Sequence, residues 1–210
     1  MAQQGTITRI LDTAEVLFAE KGFAETSLRA ITSKAGVNLA AVNYHFGSKE
    51  ALIQAVFERF LDPFCQQLEA HLNQSTNAEP TLEQLLGEVS RTALAANQGD
   101  ARTVAIFFRL SGVAYTQAQG HLRRFRRHRY GPPFARFLQL LSAATPQLTP
   151  VERFWHVHFA LGATTFALSS MESLRAICAK DLEQTLSPES INDMLLGFVA
   201  GGIRAAGAAS

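Results

Sequence analysis

An all-α fold is what this chain of 210 residues predicts, on three observations. Apolar residues recur at helical spacing along most of its length. Strong helix starts and glycine or proline stops punctuate that pattern. No stretch carries the two-residue alternation of a strand, and no internal repeat is present.

The first helix is expected from about Thr6 to Lys21, with Ile7, Ile10, Leu11, Ala14, Leu17 and Phe18 on one face. Gly22 should end it, and Phe23 can pack back over the turn. Leu28, Ile31 and Ala35 mark the apolar stripe of a short second helix, capped at its start by Thr26 or Ser27. Gly36 follows its last turn, where a left-handed residue is cheapest as glycine. Asn38 caps a third helix whose inward residues are Val42 and Phe46. A long helix starts at Ser48 and carries Leu52, Ile53, Val56, Phe57, Phe60 and Leu61, with Pro63 expected to kink it or end its first part.

Residues 73–80 are a polar loop, after which Thr81 and Gln84 form a capping box for a helix reaching about Ala96. Asn97-Gln98-Gly99-Asp100 is a further break, and residues 101–111 are helical with Ile106, Phe107, Phe108 and Leu110. Another helix covers much of 118–143, strained near Gly131-Pro132-Pro133. Thr149-Pro150-Val151-Glu152 combines cap, proline and glutamate at the start of a helix running to about Met171. Ser187-Pro188-Glu189 opens the last, which continues to near Ala205.

The second and third helices, joined by so short a glycine turn, form a helix-turn-helix, the unit that sets its second helix in the DNA major groove. The residues left over on that helix fit the task. Leu39, Ala40 and Ala41 make its first turn small and apolar, suited to thymine methyls and close approach. Asn43 can pair with adenine through its amide. Tyr44 and His45 carry donors for phosphate oxygens. Lys49 opens the next helix, where the helix N-terminus and the ammonium together favour a phosphate. The expected DNA-facing set is Thr26, Ser27, Asn38, Leu39, Ala40, Ala41, Asn43, Tyr44, His45 and Lys49. An ordinary helical hairpin would not need Asn-Tyr-His exposed in a row.

Residues 7–52 resemble the N-terminal domain of the TetR family of ligand-responsive bacterial repressors. The matching pieces are ILDTAEVLFAEKGFAETSLRAI, AGV and NYHFGSKEAL. Within that family the chain is similar to PsrA-type regulators of fatty-acid metabolism, through AGVNLAAVNYHFGSK, GHLR and the RFWHVHF region. One position departs: Asn43 stands where the family usually has an aromatic residue, so a contact made there by a tyrosine does not carry over. The resemblance implies a three-helix DNA-binding domain, here residues 1–48. Residues 49–210 then form a helical effector-binding and dimerisation domain.

Charge distribution adds a second theme. The net charge is +1, and residues 1–50 hold five Lys/Arg against five Asp/Glu, so DNA binding must depend on placed contacts, helix termini and dimerisation more than on bulk attraction. Residues 101–151 contain eight arginines and no Asp or Glu, five of them within GHLRRFRRHRYG. Such a run can be a solvated face, a site for an anion such as a carboxylate or the phosphates of a coenzyme A ester, or a nonspecific DNA contact.

Residues 154–168 are apolar nearly all round, as in a helix buried on more than one side. Gly162, Ala163, Thr164 and Thr165 are small enough for close helix approach. The final helix interleaves Gly197, Gly201 and Gly202 with Met194, Leu195, Phe198, Val199 and Ile203. These helices either complete the subunit core or pair with a second copy. Dimerisation is favoured, because one helix-turn-helix reads too few bases and paired half-sites need two. The resemblance implies a four-helix bundle made by the last two helices of each subunit.

A ligand cavity is expected among Phe60, Phe64, Phe107, Phe108, Leu110, Phe137, Phe159 and Phe166, with Arg109 or arginines of the 123–129 run, Arg123 and Arg127 among them, holding an anionic head group.

The enzyme class is disfavoured: there is no Gly-rich phosphate loop, no G-x-S-x-G elbow and no metal-ligand cluster. No cofactor and no metal are expected. No apolar run reaches the ~18 residues of a membrane span, and the N-terminus lacks a signal-peptide pattern, so a cytoplasmic protein is expected. Cys65 and Cys178 read as buried free thiols. The expected function is a repressor released from an inverted-repeat operator by a long-chain fatty acid or acyl-CoA. Two alternatives stand: a repressor of an efflux or detoxification gene answering another hydrophobic molecule, and an effector-independent structural DNA-binding protein.

Overall fold

The computed structural model describes residues 2–74, 80–96, 100–117 and 120–205, and all ten regular elements among them are α-helices. They are α1 (Ala2–Glu25), α2 (Leu28–Ala35), α3 (Leu39–Phe46), α4 (Lys49–Gln74), α5 (Leu82–Ala96), α6 (Ala101–Thr116), α7 (Gly120–Ala144), α8 (Pro150–Ser169), α9 (Met171–Asp181) and α10 (Pro188–Ala205). Residues 75–79 and 97–99, on which parts of two expected breaks fall, and 118 and 119, at the start of an expected helix, lie outside the described residues; Asn73 and Gln74 extend α4.

Ile10, Phe18, Ile31, Val42 and Leu52 are almost wholly inaccessible and join α1–α4 in one core. Gly22 interrupts α1 with φ 82° and ψ 169°, a conformation open essentially only to glycine. Phe23 then folds back onto Phe18, with ring centroids 5.3 Å apart. The aromatic path continues from Phe23 to Phe57 at 6.3 Å and from Phe57 to Phe107 at 5.8 Å, so it leads from α1 through α4 into α6.

Most starts and stops follow their caps. Ser27, Asn38 and Asp100 each accept a backbone N–H of the helix that follows. Thr81–Gln84 and Thr149–Glu152 form reciprocal capping boxes. Pro63 does not end α4, which runs unbroken to Gln74. The tertiary contacts of α4 hold it helical past the lost backbone donor. The strain expected near Gly131-Pro132-Pro133 is taken up at Tyr130, at φ −118° and ψ 17° within α7. Helix α9 has no counterpart in the sequence reading. Its first residue follows Ser170, which makes no side-chain cap, so nothing local marks a start there.

The arginine run is not free of acids in space. Asp62 of α4 accepts from Arg129 at 3.2 and 3.1 Å and from the Tyr130 hydroxyl at 2.6 Å, and Glu58 lies 3.6 Å from Arg129. Burial alone would raise the Asp62 carboxyl, but the hydrogen bonds from Arg129 and Tyr130 overcome it and hold the group below the usual carboxylate range. This cluster ties the α7 bend to α4. Arg126 lies 5.9 Å above both the Tyr115 and Phe134 rings.

Candidate nucleic-acid interface

Helix α2 packs on α1 and α3 on α1 and α4, with Ile31 and Val42 in the core, which fixes which face of α3 remains outside. The turn between them uses Gly36 at φ 65°, whose N–H reaches back to the carbonyls of Thr32 and Ser33. Asn38 Oδ1 accepts from Ala41 N at 2.8 Å, so its side chain is engaged in the cap. Leu39, Ala40, Asn43 and Tyr44 are exposed, Tyr44 to 78%. His45 is half-buried, its ring edge-on to Tyr44 at 5.1 Å. Ala41 is half-buried and packs on the core, so its methyl turns partly away from the outer face.

Two expected members sit differently. Thr26 is 1% exposed, and its hydroxyl donates to the carbonyls of Leu17 and Gly22 at 3.0 and 2.8 Å, which removes it from the surface set. Its task is to pin the α1–α2 joint, and Ser27 alone caps α2 by accepting from Ala30 N at 3.1 Å. Lys49 is half-buried and donates one hydrogen bond to the Ala24 carbonyl at 3.3 Å, which leaves two donors of its ammonium. Arg59 of α4 pairs with Asp12 and Glu15 at 2.7 and 3.3 Å, offsetting two of the acids on α1.

The expected cavity residues do not gather round one space. Phe60, Phe64 and Leu110 are buried, and Phe60 stacks on Phe107 with centroids 3.7 Å apart, ring directly on ring. Phe64 stacks on Phe60 at 5.7 Å and Phe108 meets Phe107 edge-on at 5.6 Å, while Phe137 packs against the same core. Phe159 and Phe166 are each 63% exposed and point away from that core, so they leave the cavity set. Helical periodicity could not separate a face turned to the core from one turned outward on a helix apolar all round.

A cleft of about 370 Å³ opens instead between α4 and the α7 bend, lined by Asp62, Cys65, Gln66, Glu69, Arg129, Tyr130, Pro132 and Pro133. Its two carboxylates do not suit an anion, and of the expected ligand groups only Arg129 of the 123–129 arginine run lines it, paired there with Asp62. Arg109, Arg123 and Arg127 are exposed and, among the described residues, form no salt bridge.

The outer faces of α8 and α10 are continuous in character. Val151, Trp155, Phe159, Gly162 and Phe166 are exposed along one stripe of α8. Met194, Gly197, Phe198 and Gly201 are exposed along one stripe of α10. No residue of α8 is fully buried in the subunit, so of the two expected arrangements the helix does not simply complete the subunit core. Thr165 serves a different approach: it meets α6 at Gly112, where an added Cβ would lie 3.0 Å from its methyl.

Residues 10–56 match the family described as bacterial regulatory proteins, tetR family, and residues 89–202 match the tetracyclin repressor-like C-terminal domain. The chain belongs to the TetR family of DNA-binding transcriptional regulators. It is 29% identical over 106 residues to the transcriptional repressor KstR2 of Rhodococcus jostii, a match covering 48% of this chain and 52% of that one. It is 39% identical over 81 residues to the probable regulator YttP of Bacillus subtilis, covering 39% of each. The matched segments therefore span about half or less of these relatives. A TetR-family regulator from Shewanella sp. PV-4 superposes with a TM-score of 0.60 at 21% identity, over 94% of this chain and 97% of that one, which establishes the shared fold.

Other side chains of this TetR-family regulator fall into place around the site. Among its described residues no helix is long and apolar enough to cross a membrane. Cys65 is buried with its thiol pushed up to about 12, chiefly by burial and then by Asp62 and Glu69, so it is an inert core thiol. Cys178, expected buried, is only half-buried. Sequence reasoning missed Gln117. It closes α6 and accepts from Phe23 N and Ala24 N at 3.0 and 3.4 Å. The partners are 94 and 93 residues apart, and no local pattern announces such a contact.

Proposed function

We propose that this TetR-family regulator is a homodimeric repressor of an inverted-repeat operator, released by a long-chain fatty acid or its coenzyme A ester. The observation that carries the dimeric repressor is the pair of exposed apolar stripes on α8 and α10, helices that pack side by side. Aromatic residues as exposed as Phe198 at 70% and Phe159 at 63% are costly in water, and a second copy across a twofold axis covers them. The DNA-binding unit is residues 1–48, and the effector and dimerisation unit is 49–210. Ser27, Leu39, Ala40, Tyr44, His45 and Lys49 contact DNA, with Asn43 reading a base.

Asn43→Ala is expected to weaken specific binding by about 1–3 kcal/mol and to relax preference at one base pair. Binding to an operator selected from random DNA, and to its single-base variants, measures this. Equal loss on every variant means Asn43 touches phosphate instead. Tyr44→Phe, His45→Ala and Lys49→Ala weaken binding without redirecting base choice.

The effector assignment draws support from the acid-free window 101–151, the phenylalanines of α4 and α6, and the PsrA-like stretches. Because Phe60 and Phe107 stack directly, the acyl chain enters by parting them, and Arg109, Arg123 or Arg127 holds the head group. Turning a bound population into a released one needs a preference of about 10⁴-fold, or ~5.5 kcal/mol. At ~0.8 kcal/mol per methylene, about seven methylenes buried in the released state alone supply it. Release of the operator complex by acids of increasing length is therefore expected to strengthen with length up to a limit. A flat response, or equal release by a cationic amphiphile, favours the alternative of an efflux or detoxification repressor. No release by any amphiphile favours a structural DNA-binding protein.

A further inference from the structure

The joint between α1 and α2 is held from three sides. Within the DNA-binding unit the Thr26 hydroxyl donates to the carbonyls of Leu17 and Gly22. From α4, Lys49 donates to the carbonyl of Ala24. From α6, the Gln117 carboxamide accepts the two N–H groups that the Gly22 break frees, those of Phe23 at 3.0 Å and Ala24 at 3.4 Å. The fit is close: a Cβ built on Gly22 would lie 2.5 Å from Gln117 Nε2, so the amide rests directly on the glycine. Gln117 is itself fixed, its N–H bonded to the Val113 carbonyl at 2.9 Å at the end of α6. One turn back, Gly112 of α6 meets Thr165 of α8. A short chain of contacts thus runs from the α6-facing side of α8, through α6 and Gln117, to Phe23 and Ala24 just ahead of the Ser27 cap of α2.

We propose that Gln117 is a positioning residue that sets the angle of the helix-turn-helix on the C-terminal helices, and so the half-site spacing that the dimer accepts. It touches no base. It acts because a rotation at the Gly22 joint swings α3 as a lever, and Gln117, alongside Lys49 of α4, reaches that joint from the other unit. The part concerning spacing rests on the dimeric reading above.

The test uses the full chain, an operator selected from random DNA, and copies of it with one or two base pairs inserted or removed between half-sites. Light scattering of each variant is run alongside. Gln117→Ala is expected to lose about two- to tenfold in affinity at the preferred spacing, the range for one or two lost hydrogen bonds, and to bind the altered spacings nearly as well. An isolated half-site should be bound as by wild type. Gln117→Glu keeps an acceptor oxygen for both N–H groups and is expected to restore the spacing preference. Hydrogen exchange in the free protein gives an independent readout: the amides of Phe23 and Ala24 quicken in Gln117→Ala while those of Ile10 to Phe18 do not. A dimeric Gln117→Ala with the wild-type spacing profile overturns the proposal. So does equal weakening on half-sites and full sites, which marks a merely structural role. A wild-type protein that is monomeric, or that selects single half-sites, sinks the dimeric reading instead, and unchanged exchange at residues 23 and 24 then still decides against Gln117.

Discussion

Gly201→Leu is expected to leave the subunit folded and to abolish its dimer. Gly201 is exposed on α10, and a Cβ added there meets no heavy atom within 4 Å. Within one subunit the change should even stabilise, since leucine outranks glycine in a helix interior by roughly 1 kcal/mol. The damage arises only if another helix crosses there at a distance that glycine permits. Gly201 lies one turn from Phe198 on the stripe that includes Met194 and Gly197, so a second copy seated on that stripe would be pushed off. With one recognition helix per particle, the operator contacts of a whole half-site vanish. At about 1–3 kcal/mol per base pair, operator affinity then falls by about 100-fold or more. Light scattering and operator titration measure the two halves of the prediction, and a thermal melt checks the fold. Phe198→Glu, which places a carboxylate in the same face, should act alike. A Gly201→Leu protein that stays dimeric with full affinity removes α10 from the interface.

Gly22→Ala is expected to destabilise the protein by about 1–3 kcal/mol, the cost of holding a residue with a side chain in a glycine-only backbone region. At φ 82° and ψ 169° the strain is present whatever the space around it. For a chain of this size each kcal/mol lowers the melting midpoint by about 2–4 °C. The new methyl also displaces the Gln117 amide, which would otherwise lie 2.5 Å away, but that side chain is long and can swing aside. Backbone strain should therefore dominate. Adding Gln117→Ala to Gly22→Ala is expected to recover little of the loss. Recovery of most of it would assign the cost to the clash, and wild-type stability of Gly22→Ala would refute the strain itself.

The two positions show where local reading succeeds and where it stops. Gly22 was legible as the end of a helix because the apolar period breaks there and Phe23 follows. The same logic located Gly36, the Asn38 cap and both capping boxes. Each of these depends on groups within about four residues of one another, so the short-range pattern contains the whole interaction. Gln117 was not legible: the groups it serves are 94 and 93 residues away. Threonine is a common cap, so the local pattern offers Thr26 and Ser27 alike, and only packing reveals that Ser27 takes the cap while Thr26 turns inward.

The effector region divides the same way. Composition marks an arginine window without acids, but the chain neighbourhood is not the spatial one, and α4 brings Glu58 and Asp62 against Arg129. Periodicity identifies α8 as apolar on several faces. It cannot say that Phe159 and Phe166 lie on an outer stripe while Phe60 and Phe107 stack inside, because that choice is made by which helix packs on which side.

By itself the sequence determined the all-α class, the helix-turn-helix and the exposed Asn43 and Tyr44 of its second helix, along with most helix boundaries. These follow from backbone capping, proline and glycine constraints and a 3.6-residue period, all local. The tertiary structure alone decided the inward turn of Thr26 and the bond from Gln117 to the α1–α2 joint. It also decided the neutralisation of Arg129 and the outward aromatic stripe of α8 and α10. The last three depend on residues far apart in the chain, brought together by burial of apolar surface, which is non-directional and leaves no mark at any single position. Thr26 bonds to carbonyls only four and nine residues back, but the packing that encloses them chooses it over the cap.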